Sequence, residues 1–149
     1  MVCEFKATRR VEFSDTDMAG IMHYSNYFRF METAENAFFR SLGFSIMGKP
    51  DLPVAWPRVH AACDYKAPLH FEDEVEIHLL VSEKRSKSLS YVFKFTKLNA
   101  SPPVEVARGK LTIVCVRHEG GKMAACAIPK AMSDKIQVAP AALFSPIAQ

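Results

Sequence analysis

The fold is decided by residues 11–44, VEFSDTDMAGIMHYSNYFRFMETAENAFFRSLGF, which begin as a strand, pass through a turn and continue as a long apolar helix. In the last part, apolar residues recur at spacings of three and four, which is typical of an α-helix. Phe28 and Phe39 widen the apolar face, so we expect the helix to be covered on most sides. The residues of the regular stripe are Tyr27, Phe30, Met31, Ala34, Ala37, Phe38 and Leu42.

Residues at both ends of this helix predict its length. Ser25 or Asn26 is a plausible N-cap, and Gly43 stands where a glycine in the left-handed conformation would end the helix. About sixteen residues at 1.5 Å each give about 25 Å, enough to cross several strands of a sheet. No other long helix is predicted, so the sheet is expected to pack against this one.

The rest of the chain alternates apolar and polar residues, which predicts strands. Short turns at 85–87, 99–103 and 118–121 join consecutive strands into an antiparallel meander. Together these elements predict an α+β domain over residues 1–137, with a short last helix at 129–137 and a tail at 138–149. The predicted strands are 5–13, 58–66, 74–85, 88–98 and 104–117.

Composition places the chain among soluble globular proteins. Of its 149 residues 49% are apolar and 23% charged, and the net charge of +3 is too small to indicate nucleic acid as a partner. No run of eighteen apolar residues predicts a membrane span, and the N-terminus lacks the apolar core of a signal peptide. The four cysteines lack the spacing of a zinc site, so we expect free thiols in the cytoplasm.

Two aspartates precede the helix, and their chemistry has two interpretations. Asp15 and Asp17 are typical turn residues, whose side chains bond nearby backbone amides. A carboxylate beside a helix N-terminus could instead act as nucleophile or base, while the free N–H groups there hold an oxyanion. His23 is a partly buried ring with satisfied hydrogen bonds, a wall of the acyl pocket or a second proton-transfer group, and Tyr24 offers its backbone N–H.

The third candidate feature is a basic hairpin turn. Lys84, Arg85 and Lys87 cluster between two predicted strands. Such a cluster is commonly a solvated loop, but it could also pair with the phosphates of a nucleotide-like ligand.

The pattern D-x-D-x-x-G-x-x-x-Y-x-N-Y, which runs from Asp15 to Tyr27 before an apolar helix, resembles the signature of the hotdog-fold thioesterases. It is most similar to the 4-hydroxybenzoyl-CoA thioesterase-like group. A second landmark of that family resembles residues 62–68, ACDYKAP, followed by residues 71–75, FEDEV. The resemblance implies a long helix wrapped by a five- to six-stranded antiparallel sheet. It also implies a homodimer or homotetramer formed by pairing of sheet edges, with active sites at the subunit interface.

The resemblance also implies roles for individual residues. Asp17 would attack the thioester carbon or activate water, and the Tyr24 N–H would hold the thioester oxygen. The other residues that we expect to contact an acyl-CoA substrate are His23, Asn26, Tyr27, Lys84, Arg85 and Lys87, the last three at the CoA phosphates. No metal or redox cofactor is implied, since coenzyme A is part of the substrate.

The sequence therefore predicts an acyl-CoA thioesterase, and three alternatives stay open. A hydratase or dehydratase on the same fold would need a catalytic His or Glu inside the helix, for which Glu32 and Glu35 are the candidates. A non-catalytic acyl-CoA or acyl-carrier binding module is the second alternative, and a structural subunit the third. The order His23-Tyr24-Ser25 departs from the family pattern, so we expect acyl specificity to be determined there.

Overall fold

The computed structural model describes residues 1–146. Two short 3-10 helices, Phe13–Asp15 and Ala141–Phe144, accompany the regular elements. Those elements, in chain order, are β1 (Glu4–Arg10), α1 (Asn26–Ser41), β2 (Arg58–Tyr65), β3 (Glu74–Lys84), β4 (Ser88–Lys97), β5 (Val104–Val114), β6 (Val116–Glu119), β7 (Lys122–Ala125) and α2 (Lys130–Ser133).

The main sheet has five strands in the order β1-β3-β4-β5-β2, and every neighbouring pair is antiparallel. This sheet and its single long helix confirm the predicted α+β architecture. Strands β6 and β7 form a separate hairpin that turns at Gly120 and Gly121. The predicted turn at 118–121 is thus confirmed, but the predicted strand 104–117 ends at Val114, and β7 was not among the predicted strands.

Helix α1 packs on one face of the sheet through a broad apolar surface. Phe30, Met31 and Phe38 are fully buried, and so is Phe39, which confirms that the buried face extends beyond the regular stripe. Contact with β5 is close at Gly109, where an added Cβ would overlap the end of the Met31 side chain. A glycine at this position therefore leaves room for the Met31 side chain against the sheet.

The two ends of α1 differ in how their backbone groups are capped. At its C-terminus Gly43 has a φ of +86°, the Gly43 N–H donates to the Arg40 carbonyl, and the Phe44 N–H donates to the Phe39 carbonyl. This is the predicted glycine stop. At the N-terminus Ser25 occupies the N-cap position, but its side chain makes no capping bond because its hydroxyl contacts His23 instead.

A buried ion pair ties α1 to β2. Glu35 is fully buried within the helix, and Arg58 at the start of β2 donates to its Oε1. Burial raises the pKa of Glu35 to about 7, although the adjacent Arg58 guanidinium opposes the shift.

The C-terminal segment is docked rather than loose. The last helix, α2, spans only Lys130–Ser133 and is shorter than the predicted helix at 129–137. Three cations of the sheet then hold carbonyls of the segment: Lys84 bonds Ser133 and Ile136, Lys94 bonds Leu143 and Ser145, and Arg108 bonds Phe144. The predicted tail lies partly outside the described residues, at 147–149. No helix within residues 1–146 has the length and apolarity that a membrane crossing requires.

Candidate active site

The turn before α1 presents the Asp17 carboxylate. The Asp17 N–H donates to the Ile21 carbonyl at 3.0 Å and the Gly20 N–H donates to the Asp17 carbonyl at 3.0 Å, which closes a tight loop. Asp17 Oδ1 accepts the Ala19 N–H at 2.8 Å. Its Oδ2 receives no hydrogen bond from any of residues 1–146, so one oxygen of the carboxylate is available to a substrate.

Asp15 has a structural position two residues earlier. Its Oδ2 accepts the Glu12 N–H at 2.9 Å, as expected of a turn residue. Its backbone carbonyl accepts both the His23 N–H at 2.9 Å and Asn26 Nδ2 at 2.8 Å. Asp15 therefore fastens the turn to the first residues of α1.

The start of α1 presents an unused amide. Within the described part of the chain, no acceptor receives the Tyr24 N–H, whereas the Ser25 N–H donates to His23 Nδ1 at 3.2 Å. Because Nδ1 accepts a backbone N–H, the proton of a neutral His23 ring resides on Nε2. The His23 ring stacks on the Tyr24 ring with centroids 4.4 Å apart.

Asp17 and Tyr24 line one cavity of about 430 Å³. Its other wall comes from the second landmark of the sequence, residues 62–68, which begins within β2 and continues into the loop after it. A hydrogen bond of 2.7 Å from the Met22 N–H to the Leu69 carbonyl holds the two segments together. The lining residues are Asp17, Ile21, Met22, Tyr24, Tyr27, Tyr65, Lys66, Ala67 and Pro68.

A second cavity of about 520 Å³ also reaches Asp17. Exposed apolar side chains form much of its wall, and the Phe13 and Phe71 rings meet edge to face at 6.1 Å. Asp17 therefore lies where two cavities meet. The residues around the second cavity are Phe13, Thr16, Asp17, Met18, Gly20 and Phe71.

Titratable groups around the first cavity are mostly neutral donors. Burial raises the pKa of Tyr27 to about 12, and partial desolvation together with the neighbouring Cys63 raises the pKa of the half-exposed Tyr65 to about 12, so both phenols keep their protons near neutral pH. Burial also raises the pKa of Cys63 to about 11, which disfavours a thiolate nucleophile beside the cavity. Lys66 supplies a cation, and its Nζ lies 3.5 Å from the Glu105 carboxylate.

The structure brings together three of the predicted site residues. Asp17, Tyr24 and Tyr27 line the same cavity. His23 and Asn26 do not line it: the His23 ring faces Ser25 and Tyr24, and Asn26 holds the Asp15 carbonyl. Their predicted contacts with substrate stay predictions.

The basic hairpin lies at the opposite end of the sheet. The Val11 N–H donates to the carbonyl of Asp73, which directly precedes β3, so the segment that leads to Asp17 lies beside the start of that strand. Eleven residues of β3 span about 35 Å, and the hairpin lies beyond the last of them. Lys84 is already bonded to two carbonyls of the C-terminal segment, and Arg85 pairs with Glu83 at 2.6 Å. The predicted phosphate contacts of Lys84, Arg85 and Lys87 stay predictions.

Tyr65 and Lys66 line the cavity but were not among the predicted site residues. Both belong to the second landmark, ACDYKAP at residues 62–68, so their signal was present in the sequence. Their place beside Asp17 follows from long-range pairing, in which Tyr65 lies opposite Ala107 and the loop after β2 meets Met22. Local patterns carry no information on such pairing.

The helix glutamates are set apart from this cavity. Glu35 is engaged by Arg58 in the core, and Glu32 lines a separate cavity with Asn36, Trp56 and Arg58. The geometry therefore does not favour a hydratase built on these glutamates. Within residues 1–146, no three side chains of His, Cys, Asp or Glu are grouped as metal ligands.

Comparisons with known proteins show which family the chain is similar to. The sequence profile of the thioesterase-like superfamily matches residues 11–136. A protein of Aquifex aeolicus (strain VF5), provisionally named an esterase, is 35% identical over 122 residues, which cover 82% of this chain and 89% of the relative.

Two solved structures extend the likeness to three dimensions. A gentisyl-coenzyme A thioesterase is 34% identical with a TM-score of 0.73, over 86% of this chain and 98% of that chain. The 4-hydroxybenzoyl-CoA thioesterase of Pseudomonas sp. strain CBS-3 is 21% identical with a TM-score of 0.79, over 89% of this chain and 99% of that chain. The second likeness shows a shared fold and confirms the predicted hotdog architecture.

Proposed function

Because the chain belongs to the thioesterase-like superfamily, we propose that it hydrolyses acyl-CoA thioesters to a carboxylic acid and free CoA at the cavity shared by Asp17 and Tyr24. One observation carries this proposal. An unbonded carboxylate oxygen and an unbonded backbone N–H, the two groups that acyl transfer to water requires, line the same cavity at the start of a helix.

Asp17 Oδ2 is the reacting oxygen. As a nucleophile it would form an anhydride with the acyl group and expel CoA thiolate, after which water would hydrolyse the anhydride. As a general base it would take a proton from water while that water attacks the thioester carbon. In both routes one water is consumed, the C–S bond breaks and the thiolate leaves to become the CoA thiol.

The Tyr24 N–H stabilises the negative charge that develops on the thioester oxygen. It lies at the N-terminus of the sixteen-residue helix α1, where the free N–H groups carry partial positive charge. Apolar side chains of Met22, Tyr27 and Pro68 line the same cavity, and the lower local polarity strengthens this interaction.

The two cavities that meet at Asp17 suit the two arms of an acyl-CoA. When the thioester carbon lies at Asp17, the acyl group must leave on one side and the pantetheine on the other. Apolar walls on both sides match these chains. His23, Asn26 and Tyr27 remain our proposed contributors to substrate binding, the first two by fixing the helix start.

We further propose that the active form is a homo-oligomer joined through β2. This strand is an edge of the sheet, and its residues Arg58–Ala61 are exposed. An open edge of this kind favours pairing with a second copy. We also propose that Arg85 and Lys87 contact the CoA phosphates from another subunit, because the basic hairpin and Asp17 lie at opposite ends of the sheet.

A cytoplasmic location is also proposed. The four cysteines form no disulfide, and the Cys115 and Cys126 sulfurs lie 3.6 Å apart as hydrogen-bond partners. In a reducing compartment this pair should stay as two thiols. Rapid alkylation in intact cells tests this, and a large fraction of disulfide between Cys115 and Cys126 would contradict it.

The proposed activity is tested with a panel of aromatic and medium-chain acyl-CoAs, which compares the wild type with Asp17→Asn. We expect the wild type to release CoA from at least one member and the variant to release it far more slowly. Tight binding of an acyl-CoA without hydrolysis would identify a binding module instead.

A further inference from the structure

The peptide unit between Tyr24 and Ser25 is clamped at both ends. Its carbonyl accepts a hydrogen bond of 2.8 Å from the Tyr65 hydroxyl. Its N–H, which belongs to Ser25, donates to His23 Nδ1 at 3.2 Å. With both polar groups engaged, this plane cannot rotate without breaking a bond.

The neighbouring peptide unit carries the Tyr24 N–H. The carbonyl of that unit, from His23, accepts the Asn26 N–H at 2.9 Å. The two planes meet at the Tyr24 Cα. Fixing both of them fixes the direction in which the Tyr24 N–H points.

Tyr65 differs from the other residues of this clamp because it comes from the sheet. His23 and Asn26 adjoin Tyr24 in the chain, whereas Tyr65 is 41 residues away at the end of β2. Its ring is held edge to face against Tyr27 at 4.9 Å, and Tyr27 packs in the same way on Phe95 at 5.3 Å. Tyr65 therefore connects the start of the helix to the sheet.

We propose that Tyr65 is a positioning residue for the reaction: its hydroxyl holds the Tyr24 carbonyl and thereby keeps the adjacent Tyr24 N–H aimed at the thioester oxygen. This inference rests on the proposed thioesterase function. The elevated pKa of Tyr65 supports it, since the phenol stays a donor throughout the neutral range.

The consequence is specific to the transition state. An N–H that is aimed at the developing oxyanion contributes more as charge builds up than it does to the bound substrate. Loss of the Tyr65 hydroxyl should therefore lower kcat and leave substrate affinity almost unchanged. Loss of a mere cavity wall would weaken binding instead.

The test is Tyr65→Phe, which keeps the ring against Tyr27 and removes only the hydroxyl. Tyr91→Phe is the matched control, because it removes a buried phenol from β4 outside both cavities at Asp17. For each protein we would measure kcat and KM, the dissociation constant of an unreactive thioether analogue of the substrate, and the carbonyl ¹³C shift of Tyr24.

For Tyr65→Phe we expect kcat to fall about tenfold, with KM and the thioether dissociation constant within about twofold of wild type. The Tyr24 carbonyl signal should move, because it loses a hydrogen bond. Tyr91→Phe should keep the wild-type kcat and the wild-type carbonyl shift.

Other outcomes separate this inference from the proposed function. A moved carbonyl signal with unchanged kcat overturns the inference alone, and so does an equal loss of kcat in both variants. An unmoved signal overturns it too, because the contact would be absent. A wild type that is inactive on every acyl-CoA overturns the proposed function, and the inference with it.

Discussion

At the scale of single residues, the site depends on one short turn. Asp17 and Tyr24 are seven positions apart, and the bonds that orient them are almost all made within residues 12–26. This is why the D-x-D pattern and the helix start could be interpreted from the sequence. The turn needs a left-handed residue at Gly20, whose φ is +81°.

Gly20→Ala tests the importance of that turn. The added Cβ meets no atom within 4 Å, so the cost comes from the backbone conformation, about 1 kcal/mol of unfolding free energy. Because the Gly20 N–H bonds the Asp17 carbonyl, we also expect kcat to fall. Urea unfolding and steady-state kinetics measure the two effects.

Gly120→Ala is the matched control, since it has a φ of +56°, equally open surroundings and a place in the β6–β7 turn. It should lower stability similarly and leave kcat at the wild-type value. If both variants kept full activity, the Gly20 turn would not position Asp17.

At the scale of elements, the sequence predicts what local periodicity encodes. Helix α1 and its Gly43 stop were predicted to within about one residue, because spacing of three to four and a terminal glycine are local signals. The order of strands in the sheet is a long-range property, so it could not be predicted that Tyr65 and Lys66 line the same cavity as Asp17. Nor could the pairing of Glu35 with Arg58 across α1 and β2.

That ion pair predicts a pH dependence of stability. Since burial raises the pKa of Glu35 to about 7, the folded state binds a proton that the unfolded chain releases near pH 4.5. The contribution of Glu35 to the free energy of unfolding is therefore fully present below about pH 4.5 and is lost as the pH rises through about 7.

Unfolding of the wild type and of Glu35→Gln by urea between pH 4.5 and pH 7 measures this effect. The variant keeps a hydrogen-bond partner for Arg58 and cannot ionise. As the pH rises from 4.5 to 7, the free energy of unfolding of the wild type should fall by on the order of 3 kcal/mol relative to that of the variant. Parallel stability profiles for the two proteins would contradict the raised pKa.

At the scale of the whole molecule, the sheet leaves β2 as an open edge. The Lys66 N–H bonds the Val106 carbonyl, so by alternation the Ala62 and Asp64 N–H groups also face β5, and those of Ala61 and Cys63 face outward. The outward row is where a second copy would pair.

Ala61→Pro removes one outward N–H and leaves the bonds to β5 intact. Light scattering should show a shift from oligomer to monomer, accompanied by loss of kcat because the proposed site is completed across the interface. Ala61→Val keeps the N–H and should keep both assembly and activity. An Ala61→Pro protein that remains fully oligomeric would rule out pairing through β2.

The central claim is that the free oxygen of Asp17 carries out the reaction, and Asp17→Asn tests it most directly. Asparagine keeps the Oδ1 acceptor for the Ala19 N–H and so preserves the turn, while it removes the reactive carboxylate. On the best acyl-CoA of the panel we expect kcat to fall at least about a hundredfold, with unchanged fold and assembly. Hydrolysis by the variant at the wild-type rate would contradict the account.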